Sequence, residues 1–204
     1  MSPRAGIVRK QRSTNGHVAR PLKVVITGPF SAGKTTLIQT ISEVAIVGTE
    51  RDVTDETKSV KERTTVAMDF GRITFAQDLT LFLFGTPGQR RFEVMWEILS
   101  EGMIGFILLV HAGDDRSIEE ASHILETFRE YADVPYVIGV THLDEVETSG
   151  EEALKNVREA LEVPETVEVI ACDPREREHV KTLMLSILFG VMSRLELTPA
   201  TTGS

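Results

Sequence analysis

The chain has 204 residues, of which 41% are apolar and 26% are charged. This length and composition suit one globular domain with a sizeable hydrophobic core, and they exclude a globally disordered chain. The net charge of −9 argues against a nucleic-acid-binding surface, which requires clustered positive charge. A single cysteine excludes an intramolecular disulfide and any metal site built from several cysteines.

Residues 1–20 differ from the rest of the chain because they hold five basic residues and no acidic one. We expect a flexible basic leader, which is either a solvated tail or a weak contact for anionic lipid or an acidic partner. The longest clean apolar run, Met103–Val110, is too short to span a bilayer, and no apolar segment follows the leader as a secretion signal would require. A cytoplasmic location is expected, with any membrane association arising through a partner or the leader.

Short apolar runs alternate with segments of helical periodicity over residues 21–197, and a disordered tail is expected over 198–204. This alternation predicts an α/β domain with a mostly parallel six-stranded sheet, one antiparallel strand and helices on both faces. The predicted elements, in order, are strand 22–27, helix 33–45, a polar loop over 46–62, a hairpin of strands 64–75 and 79–84, helix 89–101, strand 104–110, helix 116–131, strand 135–140, helix 150–161, strand 167–171 and helix 175–195.

The first predicted strand ends in Gly28-Pro29-Phe30-Ser31-Ala32-Gly33-Lys34-Thr35, which matches the pattern G-x-x-x-x-G-K-[ST]. A strand before it and a helix after it are what a phosphate loop requires, because backbone N–H groups and the helix N-terminus then face one anion. The segment predicts a P-loop NTPase in which Lys34 bridges the β- and γ-phosphates and Thr35 ligates Mg²⁺. The predicted nucleotide-binding residues of this segment are Gly28, Ser31, Ala32, Gly33, Lys34, Thr35 and Thr36.

Four further segments lie at or near predicted strand ends, where ligands of α/β sheets bind. They are Thr64-Thr65-Val66-Ala67-Met68-Asp69-Phe70, Gly85-Thr86-Pro87-Gly88-Gln89-Arg90-Arg91-Phe92, Thr141-His142-Leu143-Asp144 and Ile170-Ala171-Cys172-Asp173. Together with the phosphate loop, these motifs resemble those of Ras-like small GTPases over roughly residues 22–195. More narrowly, the chain resembles the bacterial GTPases of actinobacterial conserved operons, which are related to the bacterial cell-polarity GTPases.

The resemblance implies a GTP/GDP-dependent molecular switch in bacterial signalling. In such proteins the first switch supplies a threonine, here Thr65, that senses the γ-phosphate through Mg²⁺. In the second switch, Gly88 would offer its N–H to the γ-phosphate and Gln89 would orient the attacking water. Operon relatives are found beside a sensor histidine kinase and a roadblock-type protein, so a roadblock-type or other switch-region partner is expected.

Two motifs depart from the family pattern, and the first concerns Mg²⁺. The family places an acidic residue at the start of the second switch, whereas this chain has Gly85. Asp69, on the neighbouring strand and four residues after Thr65, is the candidate replacement, and the alternative is an ordinary aspartate on a strand face.

The second departure lies in the guanine-recognition motif, where Thr141 and His142 replace the family's asparagine and lysine. Asp144 keeps the carboxylate, which accepts both guanine N1–H and the 2-amino group, so guanine is favoured over adenine. Thr141 replaces the amide only in part, and His142 could stack where the lysine stem lies in the family. Ala171 would offer its N–H to the base oxygen, and Cys172 beside it is interpreted as a small buried residue rather than a nucleophile.

Slow intrinsic hydrolysis is predicted because the phosphate loop carries no second cation that could act as the arginine finger, which supplies about 10³- to 10⁵-fold in rate. The candidate catalytic residues are Gln89, Lys34 and Arg63, of which Arg63 would act in cis as the arginine finger. The alternative interpretation of Arg63 is a solvated loop residue. A nucleotide-binding scaffold without useful hydrolysis and a phosphotransferase using ATP remain alternative functions. The other histidines lack metal-ligand spacing, and His111, at a strand end near the expected nucleotide face, is interpreted as a surface residue.

Overall fold

The computed structural model describes residues 21–45, 68–76 and 79–197. The strands of this part are β1 (Leu22–Thr27), β2 (Asp69–Ala76), β3 (Leu79–Gly85), β4 (Met103–His111), β5 (Tyr136–Thr141) and β6 (Val169–Ala171). Its α-helices are α1 (Lys34–Ile41), α2 (Glu93–Ser100), α3 (Asp115–Tyr131), α4 (Gly150–Ala160) and α5 (Arg177–Leu197). The expected basic leader, the expected tail, Arg63 and Thr65 lie outside the described residues.

The six strands form one sheet in the order β2-β3-β1-β4-β5-β6. Strand β2 runs antiparallel to β3, and all other neighbours pair in parallel. The predicted fold class, an α/β domain with a mostly parallel sheet and one antiparallel strand, is confirmed and is compatible with a P-loop NTPase. Because β1 lies between β3 and β4, the segments that follow these strands meet at one edge of the sheet.

Side chains alternate between the two faces of the sheet, and each face is covered by helices. Val24 and Ile26 of β1 belong to a core with α1 and α5, whereas Val25 belongs to a second core with α2, α3 and α4. Strands buried on both faces explain the continuous apolar runs that marked β1 and β4 in the sequence. The two cores hold the strand ends, and therefore the loops that follow them, in fixed positions.

The predicted boundaries of several elements are wrong, and for α1 and β6 the structure shows a local cause. Helix α1 ends at Ile41 and not near residue 45, because Ser42 has an extended backbone and its Oγ accepts the N–H groups of Val44 and Arg72, both at 3.2 Å. Such side-chain bonds compete with helical ones. Strand β6 is limited to Val169–Ala171, since the N–H of Val167 bonds to Pro164 in a turn instead of joining the ladder.

Helix α5 is the longest of the described helices, with 21 residues. One side packs on the sheet, and the other exposes Leu185, Phe189, Met192 and Leu195. Within the described residues, no helix is both long enough and apolar enough to cross a membrane.

Candidate functional site

The predicted phosphate loop connects β1 to α1, as its sequence pattern requires. Gly28 has a φ of 142°, and a Cβ placed on it would lie 2.3 Å from the carbonyl oxygen of Leu109. Only glycine fits this close approach to β4. Gly33 caps the N-terminus of α1, so the first N–H groups of that helix and its positive dipole end face the loop. The loop therefore has the geometry of an anion-binding site.

Lys34 is almost fully buried beneath this loop. Its Nζ donates to the carbonyl oxygens of Gly28 at 2.8 Å and Pro29 at 2.5 Å. Desolvation lowers the pKa of Lys34 to about 8, although the nearby Asp69 carboxylate acts in the opposite direction. The ammonium group thus lies inside the loop, where a phosphate group would find a positive charge.

Asp69 and Thr35 place two oxygen atoms that could bind a metal ion beside the loop. Thr35 Oγ1 donates to Asp69 Oδ2 at 2.6 Å, and Asp69 pairs with Gly85 across β2 and β3. A Cβ on Gly85 would lie 3.0 Å from Asp69 Cβ and 3.2 Å from Asp69 Oδ2. The Asp69 carboxylate therefore occupies the space that a side chain at position 85 would need. A hydroxyl and a carboxylate this close together fit the oxygen preference of Mg²⁺.

The segment Gly85–Phe92, which resembles a second switch, lies against the phosphate loop. A Cβ on Gly88 would lie 2.6 Å from the backbone nitrogen of Phe30 and 2.8 Å from Lys34 Nζ. Thr86 anchors the start of the segment, because its N–H donates to Ile26 O at 2.9 Å. Only a glycine at position 88 allows this approach without a collision.

Trp96 anchors the segment from the α2 side. The indole is fully buried, and its Nε1 donates to Pro87 O at 2.9 Å. Gln89, which directly follows Gly88, is exposed at the start of a short 3₁₀ helix over Arg90–Phe92. The segment is thus held by β1 and α2, while the side chain expected to orient water points away from the core.

A cleft of about 450 Å³ opens beside the phosphate loop. It unites residues that follow β1, β5 and β6, which are far apart in the chain. Seven of the predicted nucleotide-binding residues line it: Ser31, Gly33, Thr36, His142, Asp144, Ala171 and Cys172. The other lining residues were not predicted to bind the nucleotide: Leu143, Glu145, Asp173, Pro174, Arg175 and His179.

Thr141 connects this cleft to the phosphate loop. Its buried hydroxyl lies 3.2 Å from the carbonyl oxygens of both Ala32 and Val110, and 2.9 Å from His142 Nδ1. The bond to Ala32 ties the end of β5 to the phosphate loop. His142 itself has a φ of 58°, a left-handed conformation that is uncommon outside glycine and that clusters at functional sites.

Asp144, the predicted base-reading carboxylate, has a cationic neighbour. Arg175 Nη2 lies 3.7 Å from Asp144 Oδ2 and 2.8 Å from Asp173 Oδ2. The bonds from Arg175 lower the pKa of Asp173 to about 2. Arg175 follows β6 by four positions and carries no motif signal, so the sequence did not reveal it.

Cys172 is buried, and desolvation followed by the Asp173 charge raises its pKa to about 12. A thiol with this pKa is a poor nucleophile, which agrees with its interpretation as a small buried residue. The N–H of Cys172 donates to Val140 O at 2.8 Å. Because successive N–H groups of a strand point to opposite sides, the N–H of Ala171 does not join this ladder with β5.

One sequence interpretation is wrong in the described part of the site. His111 is not a surface residue, because its side chain is only 14% exposed and its ring stacks on that of His142. The parallel register pairs His111 with Thr141 at the ends of β4 and β5. Its position at a strand end was the signal that could have placed it beside His142.

The chain is similar to a known protein family and to an archaeal protein. Residues 46–193 match the model of a family described as conserved hypothetical ATP binding protein. The chain is also 32% identical over 133 residues to the uncharacterized protein MJ1339 of Methanocaldococcus jannaschii. That alignment covers 63% of this chain and 75% of the relative.

Proposed function

The chain belongs to the family described as conserved hypothetical ATP binding proteins, and we propose that it is a small switch protein that binds GTP and GDP with Mg²⁺ and hydrolyses GTP slowly. The position of Gly88 carries the proposal. Its backbone lies against both Phe30 N and Lys34 Nζ, so a terminal phosphate bound by Lys34 touches the second-switch segment. Gain or loss of that phosphate then moves the segment, which is how nucleotide switches work.

Phosphate binding is assigned to Lys34 and the loop N–H groups. The ammonium now donates to two loop carbonyls, and a nucleotide offers charged acceptors that bind it more strongly than neutral ones. The N-terminus of α1 adds its dipole to the same point. These short-range contacts allow a chain with a net charge of −9 to bind a polyanion.

Magnesium is assigned to Thr35 and Asp69, with Thr65 of the first switch as a further ligand. The 2.6 Å distance between Thr35 Oγ1 and Asp69 Oδ2 supports these two residues as ligands of one ion. When bound, the ion neutralises charge on the phosphates. Asp69 thus replaces, from β2, the acidic residue that Ras-like proteins carry at the position of Gly85.

The hydrolytic role is assigned to Gln89, with Arg63 as an arginine acting in cis. Gln89 is exposed next to Gly88, at the edge of the phosphate loop. Slow turnover without a partner is expected because the phosphate loop itself carries no second cation to act as an arginine finger. The exposed Val94 and Ile98 of α2 support a roadblock-type or other partner at the second switch.

Base choice is tested by calorimetry with GTP, GDP and ATP in the presence of Mg²⁺. We expect GTP to bind more tightly than ATP, because Asp144 accepts two guanine N–H groups and adenine lacks that pair. Asp144→Asn should weaken GTP binding about tenfold while leaving ATP binding nearly unchanged. Tighter binding of ATP by the wild-type protein would overturn the guanine assignment.

Hydrolysis is tested in single-turnover assays with wild-type protein, Gln89→Ala and Arg63→Ala. We expect slow product formation that falls about tenfold or more in each variant. Equal rates for wild type and Gln89→Ala would favour a nucleotide-binding scaffold without useful hydrolysis.

ATP is a second candidate ligand because the family's description names it. Arg175, 3.7 Å from Asp144, also competes for the carboxylate that would read guanine. A phosphotransferase that uses ATP would in addition need an acceptor substrate. The calorimetry separates these candidates, and Arg175→Ala should raise the preference for GTP if Asp144 is the reading group.

A further inference from the structure

Two stacked histidines, one of which also contacts a glutamate, lie at the edge of the base cleft. The rings of His111 and His142 are parallel within 4°, and their centroids are 3.8 Å apart. His111 Nε2 lies 3.3 Å from Glu145 Oε2. His142 lines the cleft, whereas His111 lies behind it and outside the lining.

Hydrogen bonds hold both rings in place. The N–H of Gly113 donates to His111 Nδ1 at 3.1 Å, so the proton of the neutral His111 ring is on Nε2, toward Glu145. The Thr141 hydroxyl lies 3.2 Å from the carbonyl oxygens of Ala32 and Val110. The same hydroxyl lies 2.9 Å from His142 Nδ1, so a hydrogen bond holds this ring as well.

A metal ion is a poor occupant of this cluster, although the ligand atoms of His111, His142 and Glu145 lie within 4.8 Å of one another. A metal-bound histidine donates its second ring N–H to a partner. His111 instead accepts a bond at Nδ1, and an ion cannot lie in the planes of two rings that are parallel and stacked. The arrangement is that of two aromatic layers.

We infer that His111 is a positioning residue. It holds the His142 ring in place as a flat surface on which the purine base stacks. His111 covers one face of the His142 ring, so the cleft meets the edge and the opposite face of that ring. Asp144, two residues further on, lies on the same cleft to read the edge of the base. The left-handed backbone of His142 supports this role, because such strain persists where the surroundings fix a functional group.

The electrostatic surroundings favour the neutral form that stacks best. Desolvation and the neighbouring His111 lower the pKa of His142, and Arg175 acts in the same direction. Glu145 and Asp144 act in the opposite direction and do not outweigh these effects. The lowered pKa favours the neutral form of the His142 ring.

The inference depends on nucleotide binding but not on the choice of guanine. Its test compares GTP, ATP and inorganic tripolyphosphate, which has phosphates but no base, against the full chain with Mg²⁺. His111→Ala should weaken binding of both purine nucleotides about fivefold and leave tripolyphosphate binding unchanged. His111→Phe, which retains a flat ring behind His142, should restore most of the lost affinity.

His123 provides a matched control. It also lies near a glutamate, at 3.5 Å from Glu93, and beside an aromatic ring, but on α3 away from the cleft. His123→Ala should bind all three ligands as the wild type does. Purine affinity that is unchanged in His111→Ala would overturn the inference, as would an equal loss for tripolyphosphate. A wild-type preference for ATP would reject the guanine assignment and leave the stacking result intact.

Discussion

Lys34 combines burial with a charge that can change near neutral pH. Its ammonium is enclosed by the carbonyls of Gly28 and Pro29, and desolvation lowers its pKa to about 8. A bound polyphosphate places negative charge beside Nζ and raises that pKa again. Binding in the proposed mode is therefore linked to proton uptake.

This linkage predicts that GTP affinity falls as pH rises above 8. The free protein loses the Lys34 proton in that range while the complex retains it, so Kd should increase by up to about tenfold per pH unit. Calorimetry at pH 7, 8 and 9, in two buffers of different ionisation enthalpy, measures both Kd and proton uptake. Lys34→Arg stays charged throughout and should bind with a flatter pH dependence. An identical slope in that variant would assign the effect to another group.

Residues of the site differ in how far the sequence could predict them. Lys34 and Thr35 are fixed by spacing within one short motif, so their neighbours are determined locally. His111 and Arg175 owe their positions to strand register and to a loop conformation, neither of which leaves a local pattern. His111 pairs with Thr141 only because β4 and β5 align in one register.

At the level of elements, the pairing of β2 with β3 decides where Asp69 lies. The register shifts between Thr74 and Ala76, and beyond this irregularity Asp69 faces Gly85. A slip of one residue would turn Asp69 to the other face of the sheet. The sequence predicted the hairpin and predicted Asp69 as the replacement for the acidic residue missing at position 85. It could not predict the bulge, because the alternation of apolar and polar residues does not reveal one. The order of strands and helices was predictable because apolar periodicity is local.

The pairing of Asp69 with Gly85 across β2 and β3 predicts that the carboxylate can be moved from position 69 to position 85. Asp69→Asn should weaken Mg²⁺-dependent GTP binding about tenfold and change binding in EDTA little. Gly85→Asp alone should bind worse still, because its Cβ would meet Ile38 Cδ1 at 2.9 Å and Asp69 Cβ at 3.0 Å. The double variant Asp69→Gly with Gly85→Asp removes the collision with Asp69, leaves only the flexible end of Ile38 to shift, and should recover part of the affinity. Titration of Mg²⁺ at a fixed GTP concentration measures the Mg²⁺ dependence of binding for each variant. A wild-type response in Asp69→Asn would show that Asp69 is an ordinary strand residue.

On the scale of the whole molecule, the site is assembled from segments that follow β1, β3, β4, β5 and β6. Helices pack on both faces of the sheet and hold these strand ends in two separate cores. A nucleotide that touches the phosphate loop and the base cleft therefore joins parts of the chain that local unfolding would otherwise separate. Ligand binding and global stability should be coupled through these strand ends.

This coupling gives a prediction for thermal unfolding. GTP with Mg²⁺ at about 100 times Kd should add about 2.7 kcal/mol, which corresponds to a rise in Tm of about 5–10 °C for a domain of this size. Lys34→Ala should abolish the rise, because it removes the buried cation at the phosphates. Lys155→Ala, which removes an exposed α4 side chain 3.6 Å from Glu159, is the matched control and should keep the full rise. Equal shifts in both lysine variants would show that the nucleotide binds elsewhere, since only Lys34 lies within the phosphate loop.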